Sequence, residues 1–237
     1  MKTAITIILI IIIGGVSTAV YFSNSNQSTE VSVLRDVTEL HLSQPVANKI
    51  IPLYGLDTQK WNGGDFHFAN ISDVSYNQTK EAHIGTANQW LSNEYDRTKT
   101  VKQFYSSITQ ILNDSQKDTV GKYHSSIYIP LANELNRLSQ STAKRRILLV
   151  YSDLMENDLI LSFYDKRTLS LLASNPDKVR KQLEGMLPLN NLSGIEIHLL
   201  YQPPNAESDM QFKIVSGFYK QLLETKGATV FISANLQ

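Results

Sequence analysis

Asp36 and Thr38 in Asp36-Val37-Thr38, Ser125 in the pair Ser125-Ser126, and Asp153 in Tyr151-Ser152-Asp153-Leu154 each sit at the end or the opening of an apolar run. In a fold that gathers its strand ends at one edge, two carboxylates and two hydroxyls from three separated loops form an oxygen cage suited to a hard divalent cation. Asp36 and Thr38 are two apart, a spacing that in extended backbone turns both side chains to one side and Arg35 and Val37 to the other. Two carboxylates held close together repel, so a metal or another cation is expected between them, and Arg35 is the nearest in sequence. The plainer alternative is an Asp that closes a loop and a Ser125 that caps the next helix.

Other chemistry is less well represented. His41, His67, His83, His124 and His198 are scattered, and none pairs at the i, i+4 spacing that sets two imidazoles on one helical face for zinc. His41 and His124 would flank the proposed cage and read as lining. No Gly-x-Ser-x-Gly elbow, Walker phosphate loop or Gly-x-Gly-x-x-Gly occurs. Glu156 and Asp158 extend an acidic group from Asp153, either as part of a solvated loop or as acids around magnesium. Trp61, Trp90 and Tyr95 read as cover for a sheet edge or as a binding rim.

The elements that must position these residues alternate. Val31–Leu34 is a short β-prone run leading into Asp36, and Gln44–Leu56 has room for a helix before Trp61-Asn62-Gly63-Gly64 breaks the pattern. A hairpin follows, with arms Asp65–Ile71 and Thr79–Ile84. Between Arg97 and Asn113, Val101, Phe104, Tyr105, Ile108, Ile111 and Leu112 recur at helical spacing, which predicts a helix with one core-facing stripe. A second helix is expected from near Ser126 to Leu138, with Pro130 in its first turn.

Ile147–Tyr151 is apolar throughout and closed by Ser152-Asp153, the pattern of a strand buried on both faces of a parallel sheet. Asn175-Pro176-Asp177 then opens a helix bearing Val179, Leu183 and Leu187 before strand Ile195–Tyr201. Ile214, Val215, Phe218 and Leu222 mark a last helix before strand Ala228–Ile232. This alternation predicts an α/β, doubly wound, mostly parallel sheet with one antiparallel edge strand and helices on both faces, in which ligands gather at the carboxyl ends of the strands.

With 237 residues, the chain has room for one domain with attachments. Lys plus Arg and Asp plus Glu both number 22, giving no basic excess of the kind that nucleic-acid binding uses, so nucleic acid is not an expected partner. The absence of cysteine excludes disulfides, thiolate nucleophiles and Cys-ligated metals. From Ala4 to Phe22 no residue is charged, and the run is long enough to cross a hydrocarbon layer of roughly 30 Å as a helix. Lys2 precedes it, which predicts a single-pass anchor with the C-terminal part extracytoplasmic. Cleavage near Ser17-Thr18-Ala19 would instead release a secreted domain. The expected organisation is therefore an anchor or signal over 1–22, a polar linker over 23–30 and a domain over 31–237.

In element order and marked residues, the chain resembles the von Willebrand factor A family over roughly Val31 to Leu236. That family's metal ion-dependent adhesion site uses Asp-x-Ser-x-Ser after the first strand, a Thr in a later loop and an Asp after the fourth strand. The resemblance implies that Asp36 matches the first Asp, Thr38 the first hydroxyl, Ser125 the loop Thr and Asp153 the later Asp. Leu40 stands where the second Ser is expected, and Ser43 would replace it only in a bulged loop. The implied function is a protein-binding or assembly module, not an enzyme. In it Mg2+ or another divalent cation is held by these four residues and an acidic side chain of the partner completes the coordination. A magnesium-dependent phosphohydrolase-like enzyme and a metal-free structural domain are the alternatives.

Overall fold

The computed structural model describes residues 27–37, 43–71, 78–116, 126–158 and 161–236. Six strands form one sheet: β1 (Ser28–Asp36), β2 (Gly63–Ile71), β3 (Thr79–Ile84), β4 (Arg145–Tyr151), β5 (Ile195–Leu200) and β6 (Thr229–Ser233). Their order is β3-β2-β1-β4-β5-β6, parallel throughout except for the β2–β3 hairpin at one edge. The expected sheet is therefore present, with its single antiparallel edge strand. β1 begins at Ser28, so Ser28–Glu30, which read as linker in the sequence, are paired strand.

The side-chain alternation of the strands decides which helices cover which face. Leu34, Leu148, Val150, Ile197, Leu199 and Val230 turn to one face and pack beneath α3 (Tyr128–Ser139), α4 (Lys166–Ser174), α5 (Pro176–Met186) and α6 (Ala206–Thr225). Val31, Val33, Phe66, Phe68, Ile147 and Leu149 turn to the other. They meet α1 (Ala47–Ile50), the 3-10 turn Ile51–Tyr54 that continues it, and α2 (Glu94–Ser115). β4 is buried on both faces, as its unbroken apolar run requires.

α2 presents Val101, Phe104, Ile108 and Leu112 at the expected helical spacing. Its Phe104 meets Tyr54 edge-on at 5.0 Å between ring centroids, and both rings press on Gly64, where a Cβ would come within 2.8 Å of Tyr54. α3 is tied to the sheet by a polar seam. Arg137 donates to Glu30 Oε1 at 2.5 Å and to Ser32 Oγ at 2.9 Å, while Ser141 also bonds the buried Glu30.

α4 has no counterpart in the sequence reading. It is capped by Asp165, whose side chain accepts from Arg167 N at 2.9 Å, and buries only Leu172 fully, too little for a periodic stripe to stand out. Among the described residues no helix is long and apolar enough to cross a membrane. The apolar run 4–22 lies outside the described residues.

Candidate functional site at the carboxyl edge of the sheet

The connections from β1 run one way to β2 and, after the hairpin, the other way to β4. The β1–β4 junction is therefore the point at which the doubly wound order reverses, the place where ligands of open parallel sheets bind at the carboxyl ends of the strands. Asp36 ends β1, and Asp153 stands two residues beyond the end of β4. Both carboxylates are buried. The register pairs Arg35 with Tyr151, so the next step brings Asp36 opposite Ser152. The Ser152 hydroxyl indeed donates to Asp36 Oδ2 at 3.0 Å.

The turn after β4 is built around these two acids' neighbours. Leu154 adopts φ +63°, a left-handed conformation that costs a non-glycine residue on the order of 1–3 kcal/mol. It is held there by Leu154 N–H donating to Ser152 Oγ at 2.9 Å and Met155 N–H donating to Asp153 Oδ1 at 2.9 Å. Full burial of the Leu154 side chain opposes relaxation of the turn. Strain of this kind persists only where the surroundings over-determine it, and it is concentrated here at the edge where the sequence places its site.

Of the four expected ligands, the structure brings Asp36 and Asp153 to neighbouring strand ends. Thr38 and Ser125 lie outside the described residues, as do Leu40, His41 and His124. Ser43 is described, and its hydroxyl donates to Asn235 Oδ1 at 3.2 Å. Arg35 is on the opposite face of the sheet from Asp36, where Nε donates to Gln44 Oε1 at 2.8 Å and Nη1 to the Ser115 carbonyl at 2.7 Å. Its charge thus serves the carboxyl end of α2. Among the described residues no group of three or more His, Asp or Glu side chains is arranged to hold a metal ion. Asp36, Ser152 and Asp153 all carry hard oxygen donors, the kind a divalent cation takes.

Glu156 departs from its sequence reading. Rather than lying in a solvated acidic loop, it is fully buried, and its Oε2 accepts from Ile127 N at 3.0 Å and Tyr128 N at 2.8 Å. α3 has no side-chain cap of its own, so a carboxylate 28 residues downstream satisfies its first amides. Burial pushes the Glu156 carboxyl up to about 7, opposed by the Tyr128 amide and the Ser126 hydroxyl and aided by nearby Asp158. The Ser126 and Tyr219 hydroxyls lie beside the Glu156 carboxyl, and both can donate to it. Asp158 is half-buried, its side chain accepting from Leu161 N at 2.9 Å.

Beside Asp153, towards β5 and α6, lies a cavity of about 90 Å3 whose polar lining comes from Asp153, Tyr164, Tyr201, Ser208 and Gln211. Taking roughly 30 Å3 per water, it has room for a few water molecules. Small-molecule sites run to roughly 300–1,000 Å3. Comparison with protein-family models and with curated proteins gave no match for this chain.

Proposed function

We propose that the protein is a membrane-tethered, extracytoplasmic module of the von Willebrand factor A type, which binds an acidic side chain of a protein partner at the carboxyl edge of its sheet. The observation that carries this reading is the placing of Asp36 and Asp153 on adjacent strand ends where the strand order reverses, joined through Ser152. In this reading Asp36, Asp153, Thr38 and Ser125 hold Mg2+ or another divalent cation, which supplies a Lewis-acidic docking point for a carboxylate. Ser152 orients Asp36, and the strained Leu154 turn fixes Asp153. The few-water cavity beside Asp153 suits a side chain offered from outside better than an enclosed substrate.

Thermal unfolding of the full chain in detergent, with and without millimolar Mg2+ or Mn2+, tests it. A ligand bound only to the folded state stabilises by about 2.7 kcal/mol at a hundred times its dissociation constant. A rise in melting temperature that is lost in Asp36→Asn and Asp153→Asn is the expected result. Identical curves with and without metal would refute the metal-dependent reading.

A further inference from the structure

We propose that the edge of the sheet opposite the candidate site is a lipid-facing platform, in which Trp90, Leu91 and Tyr95, beside Trp61, lie in the headgroup layer of the membrane. The inference rests on the tether reading and adds to it a surface of the folded domain. Trp90 is 76% exposed, Leu91 85% and Tyr95 78%, three large apolar side chains within six residues at the start of α2. Exposed apolar residues scattered singly are ordinary, whereas a contiguous group marks an interaction surface.

The position of this group selects the occupant. Gly63 N–H donates to the Gln27 carbonyl at 2.9 Å and Gln27 N–H to Asn62 Oδ1 at 3.1 Å, so the loop carrying Trp61 lies against the place where the chain enters the domain. Ala87 N–H donates to the Trp61 carbonyl at 2.9 Å, which joins the loop carrying Trp90 to the same spot. Buried Arg97 fastens both loops, through Nε to the Lys60 carbonyl at 2.5 Å, Nη1 to the Gly85 carbonyl at 2.9 Å and Nη2 to the Asn62 carbonyl. The aromatic group is therefore presented on a braced support.

Only Ser23–Gln27 separates the end of the apolar run from β1. At no more than 3.6 Å per residue, five residues span at most about 18 Å, so the tether holds this edge close to the bilayer. Trp and Tyr favour that layer because their rings are apolar with one polar tip. At the same edge Lys144 and Arg145 are exposed, Arg145 standing 3.6 Å from Glu196, while Lys60, 5.9 Å from the Trp61 ring, is ion-paired with Glu94.

The full chain carrying Trp61→Phe, reconstituted in phosphatidylcholine–phosphatidylglycerol vesicles, reports on Trp90 alone, since the sequence has two tryptophans. Lipid brominated near the headgroup end of its acyl chains is expected to quench most of the Trp90 emission, with protection from aqueous iodide. Because the chain has no cysteine, Tyr95→Cys labelled with an environment-sensitive fluorophore gives an independent second reading, expected to shift blue on reconstitution. Iodide quenching without bromine quenching would place Trp90 in water and overturn the proposal. Protection from both quenchers would assign the patch to a protein, or to a second copy of the chain, and overturn it equally. An alkaline carbonate wash separates the two levels: release of the chain defeats the tether reading, whereas retention with Trp90 in water defeats the platform alone.

Discussion

Ser152 Oγ donates to Asp36 Oδ2 across 3.0 Å while accepting Leu154 N–H at 2.9 Å, so one hydroxyl fixes a carboxylate at the end of β1 and the strained turn that follows β4. Removing it leaves a buried carboxylate short of a donor and a buried amide short of an acceptor. Ser152→Ala is expected to cost about 2–3 kcal/mol, read as a lower urea midpoint at unchanged slope. If the site binds metal as proposed, Ser152→Ala should also weaken divalent stabilisation, because Asp36 loses the contact that orients it.

Glu156 makes stability depend on pH in a stated direction. Its folded carboxyl titrates at about 7, above the ordinary 4.5, so the folded state binds the extra proton between those values. The associated stability is fully present below about pH 4.5 and is lost as pH rises through 7, on the order of 3 kcal/mol in all. Glu156→Gln keeps an acceptor for Ile127 and Tyr128 and cannot ionise. The variant should therefore gain on wild type as pH is raised from 5 to 8, and be the more stable of the two above pH 7. A stability difference that stays flat over that range would show that Glu156 is charged throughout.

The seam between α3 and β1 is asymmetric, since Glu30 is buried whereas Arg137 is partly open to solvent. Arg137→Ala strands the carboxylate with Ser141 and His67, and breaking a buried pair from one side costs about 3–5 kcal/mol. A value near the lower end is expected because solvent reaches Arg137. Denaturant unfolding measures it, and Arg137→Lys should recover only part of the loss because one ammonium cannot span Glu30, Ser32 and Glu134 as the guanidinium does.

At Gly64 an added methyl would meet Tyr54 at 2.8 Å and Phe104 at 3.1 Å, and the Tyr54 ring is pinned by its hydroxyl donating to the Asp65 carbonyl at 2.9 Å. Gly64→Ala is expected to destabilise by about 1–3 kcal/mol through overpacking. Near-ultraviolet dichroism should show the Tyr54 environment altered, with β-sheet content unchanged.

These residues also show what a sequence can and cannot disclose. The unbroken apolar run of β4 and the helical stripe of α2 are legible because their burial is encoded by neighbours in the chain. Asp36 and Asp153 are legible as strand-end acids for the same reason. Glu156 is not, because a Glu in a polar loop ordinarily faces water and its burial depends on the first amides of a helix 28 residues earlier. The role of Ser152 is equally hidden: its partner Asp36 is 116 residues away and is found only once the β1–β4 register is known. α4 is missed although Asp165 is a readable cap, since a single fully buried leucine leaves little periodicity to detect.

β1 runs from the place where the chain enters the domain to Asp36, bonded along its length to β2 on one side and β4 on the other. On the proposed reading, a pull between the tether and a partner held at Asp36 would act along this strand. Separation then requires two parallel ladders to shear with many bonds loaded together, rather than to peel one bond at a time. On that reading the central strand would be a mechanical tie rod, carrying load between the two poles of the domain through both ladders.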